Sequence, residues 1–436
     1  TVYNRAHIGN LRAYVFSDTI ARVLGAAGYR VRRVINITDV GHLVGDGDEG
    51  EDKMAIGAKR EQTTPEAIAD RYTKLFIEDI HELAIDTDDI RFPRATDYIQ
   101  EQIALVKTLE EKGFAYRTPH GVAFDISQFP SYGKLGNINV SGQRSGARIT
   151  RDPEKKNPHD FWLWRTAKPN DLQQWNSPWG RGNPGWHIEC SAMSRALLGQ
   201  EIDIHTGGED HIAVHHNNEI AQSEAASGRT FVHYWMHSAF LIMQGEKASK
   251  SIGNVVYLSD IIEKGFHPLA LRYFFLQAHY RTPLSFSWDA LAGAAGALDR
   301  LWKISREIAQ ESKRTSTFSL ARNRFLAAMR DDLATPQAIG ILWDALKSED
   351  YTPEEKWGLI VDAHAHLGLS LTTPPTTGAL TAAHVPEKIR TLLSERERAR
   401  ASKDFKEADR IRDEVEKSGY RVDDGPDGPV LTIRTL

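Results

Sequence analysis

The chain has 436 residues, 41% of them apolar and 26% charged, enough for two to four domains with a sizeable core. A net charge of −5 excludes a globally basic nucleic-acid binder, so any such contact must come from local basic patches. A single cysteine excludes an internal disulfide framework and fits a reducing compartment, and no signal peptide or bilayer-length apolar run is present.

In chain order, Thr1 to Asn10 is a polar loop feeding an apolar-periodic helix from Leu11 to Ala27. Such a loop is either an ordinary helix entry or an anion site at a helix N-terminus, where Gly9 allows close backbone approach. Arg30 to Asn36 reads as a strand, followed by Ile37-Thr38-Asp39-Val40. Helix, strand and acidic turn in this order suit a doubly wound nucleotide fold, whose ligands gather at the carboxyl ends of strands. The acidic loop from Asp46 to Asp52 reads as a solvated insertion. Pro65 to Ala84 and Ala95 to Lys112 have amphipathic helix patterns, and Phe114 to Phe124 reads as a hairpin. Trp162 and Trp164 follow in a stretch rich in Pro, Gly and charge, and are read as core packing rather than a base-stacking platform. Ser287 to about Leu371 is helical, with Asp331 to Pro336 opening one helix. Thr372 to Thr377 is a Pro/Thr linker. The tail carries charges at helical spacing around Lys403-Asp404-Phe405, ordinarily a solvated face, and closes on a hairpin from Gly419 to Thr432.

The most informative stretch runs from Gly185 to Gln222. It holds Gly185-Trp-His-Ile-Glu-Cys190, the Gly207-Gly208-Glu209-Asp210 turn and His215-His216-Asn-Asn-Glu219. A lone cysteine is ordinarily a small buried hydrophobe. Here His215 and Glu219 are one helical turn apart and share a face, so together with Cys190 they could hold zinc with one position open. Spacing leaves both readings standing, and it does not by itself separate His215 from His216; the turn to Glu219 favours His215. Lys247-Ala248-Ser-Lys250-Ser-Ile-Gly-Asn254 is, taken alone, an exposed loop.

Together these segments resemble cysteinyl-tRNA synthetases, class I enzymes, over essentially the whole chain. The strongest match is Gly185 to Met193 with His215 to Ser223; Ala6-His7-Ile8-Gly9-Asn10 resembles the HIGH motif, and Lys247 to Ser251 the KMSKS loop with Ala248 in place of Met. The resemblance implies an α/β Rossmann-like catalytic domain with an inserted connective domain, then an α-helical tRNA-binding domain. Its expected segments are 1–90 and 181–245 for the catalytic halves, 91–180 for the insertion and 246–300 for the KMSKS loop and stem contacts. A helical domain at 301–380 and a helical and β tail at 381–436 complete it.

By the same resemblance, His7, Gly9 and Asn10 bind ATP, with His7 and Asn10 on its phosphates. Gly207, Gly208 and Asp210 approach the adenosine, and Lys247 and Lys250 neutralise the leaving pyrophosphate. Thr38 and Trp186 contact the substrate cysteine. Cys190, His215 and Glu219 hold one zinc, with a further cysteine from a Cys-Gly-Pro that the family places immediately before Thr-Val-Tyr. The chain begins at Thr1 without it, which is read as a truncated N-terminus. Asn183 stands where the family has Arg, and Ala213-Val214 where it has Phe-Pro.

The expected function is cysteine–tRNA ligation: cysteine is activated with ATP and magnesium, then transferred to tRNA(Cys) by a monomeric cytoplasmic enzyme. Zinc binds a thiolate far better than a serine hydroxyl, which could remove the need for editing. The rivals are the cysteine ligase of mycothiol synthesis, which should lack the tail after Val385, and an inactive tRNA-binding paralogue.

Overall fold

A computed structural model describes residues 2–41, 52–138, 154–169, 171–243, 246–247, 255–375, 387–418, 420–425 and 428–433. The acidic loop before Asp52 and the segment from Ala248 to Asn254, with Lys250, lie outside them. The chain divides into two compact units.

The first unit comprises Thr1–Ala6, Val31–Asp79 and Asp86–Ser238. Its parallel pairings are Arg33–Val34 with Ile90–Arg91, and Ile202–Gly208 with Val232–Ser238. Between these pairings in the chain lies an antiparallel five-stranded sheet. Its strands are Ala115–Thr118, Gly121–Phe124, Phe161–Thr166, Trp175–Ser177 and Gly180–Pro184. The expected hairpin is its first two strands, with Ala115 opposite Phe124. Trp162 and Trp164 are buried, the latter wholly so, as core packing requires. One apolar core joins this sheet through Val122, Phe124 and Trp164 to the helices Ile99–Glu111, Trp186–Leu198 and His215–Ser227.

The second unit comprises His7–Arg30, Ile80–Ile85 and Ala239–Leu436. Its first helix, Ile8–Ala26, carries a buried Arg12 whose guanidinium donates to the carbonyls of Ala239, Phe240, His279 and Thr282. Arg272, fully buried in the helix Pro268–Leu276, donates to Asp18 at 2.7 Å and to the carbonyls of Leu83 and Leu367. Four helices follow, Trp288–Glu311, Leu320–Arg330, Thr335–Lys347 and Pro353–Leu367. Proline at the start of the third of them suits a position whose N–H has no intrahelical partner. In the tail, the helices Glu387–Ala401 and Phe405–Lys417 bury Ile389, Leu392, Ile411 and Val415 against Val422 of the closing hairpin. Asp404 caps the second helix, and Arg410 pairs with Glu407 and Glu414 on its exposed side.

Several boundaries differ from the sequence reading for local reasons. The first helix starts at Ile8 rather than Leu11, because His7 and Asn10 cap it. The strand expected over Arg30 to Asn36 is confined to Arg33–Val34, with Ile35 N still donating to the Arg91 carbonyl at 2.9 Å. The helix starting at Pro65 stops at Glu82, and Ala84 then adopts a left-handed φ of 56° that ends it. The Ala95 segment begins as a 3-10 turn, Ala95–Tyr98, before the α-helix from Ile99.

Candidate active site

In the first unit, the helices Trp186–Leu198 and His215–Ser227 bring together the three ligands expected from spacing. The ligand atoms of Cys190, His215 and Glu219 all lie within 4.8 Å of one another, and all three residues are buried. Gln222 fixes the distance between the helices. Its side-chain amide donates to the His187 carbonyl at 3.0 Å and to Ser191 Oγ at 2.9 Å, one residue beyond Cys190.

Each donor is oriented by a neighbour. Asn36 donates its side-chain amide to Cys190 Sγ at 3.0 Å. His215 Nδ1 stands 2.8 Å from His187 Nδ1, so a single proton lies between the two rings. That leaves His215 Nε2 facing Glu219 Oε1 at 3.0 Å. A metal-binding histidine held through its other ring nitrogen is the usual arrangement.

Burial disfavours charge on every member of this cluster. It pushes the Cys190 thiol well above its usual range, with Glu219 and Glu189 adding to the effect. Burial also raises the Glu219 carboxyl, offset in part by His205 and His211, and lowers His187 and His215 well below the usual histidine range. Neither Glu219 oxygen accepts a hydrogen bond among the described residues, although the side chain is fully buried. A buried carboxylate without hydrogen-bond donors is costly, and a cation among sulfur, nitrogen and oxygen donors would offset that cost. The donor set therefore fits zinc.

The walls of the cluster are aromatic. The Trp186 ring lies 4.3 Å from that of His215, with Lys53 Nζ 5.7 Å from its centroid. Gly207 sits at the end of the strand Ile202–Gly208, where an added Cβ would meet His216 Cε1 at 2.6 Å and His211 Nδ1 at 2.9 Å. Only glycine leaves those two rings in place. At Gly208 a Cβ would strike the Asp210 carboxylate, which folds back over the turn at an exposed position. Thr38 is buried, and its carbonyl accepts from Val2 N at 3.3 Å.

The remaining expected residues belong to the second unit. His7 caps the first helix: its Nδ1 accepts from Asn10 N at 3.3 Å, while Asn10 Oδ1 accepts from His7 N at 3.2 Å. An accepting Nδ1 places the proton of a neutral imidazole on Nε2, which makes that atom a donor. Gly9 lies in the first turn and Asn10 is exposed. Ile8 N donates to Val256 O at 2.9 Å, and His7 bridges Tyr257, so the helix start adjoins the chain just past Asn254. The backbone of Lys247 pairs with Ile242.

Residues 1–296 match the family described as tRNA synthetases class I (C) catalytic domain, and residues 382–428 match the cysteinyl-tRNA ligase anticodon binding domain. The chain is 47% identical over 435 residues to cysteine–tRNA ligase 1 of Burkholderia lata, covering 99% of this chain and 90% of that protein. It is 42% identical to the cysteine–tRNA ligase of Treponema denticola, covering 97% and 92% of the two chains.

The chain belongs to the cysteine–tRNA ligase family.

The fold is that of class I synthetases. It matches the Mycobacterium tuberculosis methionyl-tRNA synthetase bound by methionyl-adenylate with a TM-score of 0.59, over 90% of this chain and 92% of that one, at 18% identity. No described helix is long and apolar enough to cross a membrane. Within this cysteine–tRNA ligase fold, Asn36, His187 and Gln222 support the cluster without having been assigned roles from sequence. Part of the signal was present: Cys190 and Ser191 follow His187 by three and four residues, Gln222 follows Glu219 by three, and Glu219 follows His215 by four. Asn36 carried no such spacing.

Proposed function

We propose that this chain activates cysteine with ATP and transfers it to tRNA(Cys). In the first step a carboxylate oxygen of cysteine attacks the α-phosphorus, the bond to the β-phosphate oxygen breaks, and pyrophosphate leaves. In the second, a hydroxyl of the terminal adenosine of the tRNA attacks the acyl carbon and AMP leaves. The observation that carries the reading is the convergence of Cys190, His215 and Glu219 in a chain whose relatives over nearly its full length are cysteine–tRNA ligases.

Zinc held by Cys190, His215 and Glu219 would supply a Lewis-acidic position that selects a thiolate over a hydroxyl. Asn36 and His187 would orient the sulfur and imidazole ligands, and Trp186 and Thr38 would bound the cysteine side chain. His7 Nε2–H would donate to an ATP phosphate oxygen, with Asn10 fixing the ring and Gly9 keeping the first turn open. Lys247 and Lys250 would balance the charge that develops on pyrophosphate. Support for grouping the two signature segments is the bond from Ile8 to Val256, just beyond the lysine loop. Gly207, Gly208 and Asp210 would take the adenosine and its ribose. Residues 301–380 and the tail would meet the tRNA, and the tail argues against an amide ligase that acts without tRNA.

The test is cysteine-dependent ATP–pyrophosphate exchange and charging of tRNA(Cys) by zinc-replete protein, with serine as control. Exchange and charging with cysteine alone is the expected result. Exchange without charging would redirect the reading to a small-molecule cysteine ligase, and tRNA binding without exchange to an inactive paralogue.

A further inference from the structure

A second group of donors stands beside the first. The ligand atoms of His205, His216 and Glu219 also lie within 4.8 Å of one another. We propose that these three residues form a second seat for a divalent transition-metal ion, an alternative to the seat at Cys190.

The ligands are preset. His216 Nδ1 is engaged by His237 Nε2 at 2.8 Å, which fixes the ring and leaves its Nε2 as the available donor. The His205 ring packs at 4.8 Å against both His216 and Trp235, and its Nε2 stands 3.6 Å from Glu219 Oε1. Gly207 provides the room, since a Cβ there would lie 2.6 Å from His216 Cε1 and 3.1 Å from its Nε2. Two imidazoles and a carboxylate are a known zinc ligand set, and imidazole selects zinc, cobalt or nickel over magnesium and calcium.

The two seats compete for one carboxylate. The same oxygen, Glu219 Oε1, is 3.0 Å from His215 Nε2 and 3.6 Å from His205 Nε2. The half-buried His205 and the buried His215 thus draw on one carboxylate, so an ion at either seat takes charge that the other would need. The thiolate seat takes the ion when sulfur is available, because thiolate is the stronger ligand for a borderline-soft metal. The histidine seat retains it when the chain's only cysteine is oxidised or blocked.

The experiment compares the full chain with Cys190→Ala, using cobalt(II) as probe, bound metal after dialysis and the optical spectrum. Cys190→Ala is expected to keep one equivalent of cobalt, without the charge-transfer band of a cobalt–thiolate bond. Adding His205→Ala or His216→Gln should then weaken binding about tenfold or more. His205→Ala alone should leave the thiolate band in place, which also shows that this variant folds. No cobalt on Cys190→Ala, or retention unchanged by both histidine substitutions, overturns the proposal. Absence of the thiolate band from the unsubstituted chain would remove the Cys190 seat and leave this one standing, so the two readings fail separately.

Discussion

Asn36 and Cys190 come from segments far apart in sequence, yet the amide of one donates to the sulfur of the other at 3.0 Å. A hydrogen bond to sulfur favours the thiolate against the burial that pushes the thiol up. Asn36→Ala is expected to weaken zinc binding by roughly tenfold to a hundredfold, the usual cost of losing a partner that orients a ligand. Competition with a chromophoric chelator measures it. Unchanged affinity would show that the contact merely fills space.

His7 has a capping role that must be separated from any role on ATP. His7→Asn supplies a good N-cap while removing the Nε2 donor, so stability should change by less than about 0.5 kcal/mol. Pyrophosphate exchange should fall about a hundredfold through the maximal rate rather than the KM for ATP. A parallel loss of melting temperature and exchange would assign His7 to capping alone.

The buried pair of Arg272 and Asp18 predicts a stability effect. Arg272→Met leaves Asp18 without its fully buried partner, and the half-buried Arg22, 2.6 Å away, compensates only in part. A loss of about 3 kcal/mol is expected by chemical denaturation. Arg22→Ala should cost much less, because its guanidinium is reached by water. Equal losses would contradict this ranking.

Asp332 provides a pH test. Arg281, then Tyr280 and His279, hold its carboxyl below the usual range. A depressed folded value means that its contribution to stability is present above the unfolded value of about 3.9 and is lost as pH falls through the folded one. Asp332→Asn, which tolerates the left-handed φ of 48°, should trail the unsubstituted chain at neutral pH and converge with it in acid. A constant gap across the acid range would discount the ionic contribution.

The sequence made one half of the candidate metal cluster plain and concealed the other. His215 and Glu219 were readable because a helix turns every few residues, and both fall on one face. Cys190 could be added to them only by its chemistry as a soft ligand and by the resemblance, since no spacing rule spans two helices. The His205 group was hidden for the same reason: one of its ligands lies on a strand and two lie on a helix. The hairpin and the helices around Ile99 and Trp288 were legible from their apolar periods. The first helix's start was misjudged because a histidine cap is less recognisable in sequence than Ser, Thr or Asp. The strand after Arg30 was overextended because extended backbone runs beyond the two residues that form the parallel pair with Ile90–Arg91.

Gln222 bonds to backbone and side chain across the helix gap with no ion involved. Ligand spacing is thus set by an amide, and removing the metal should leave the two helices docked. The two helices are then held for an ion rather than by one, so the proposed zinc should come and go without refolding.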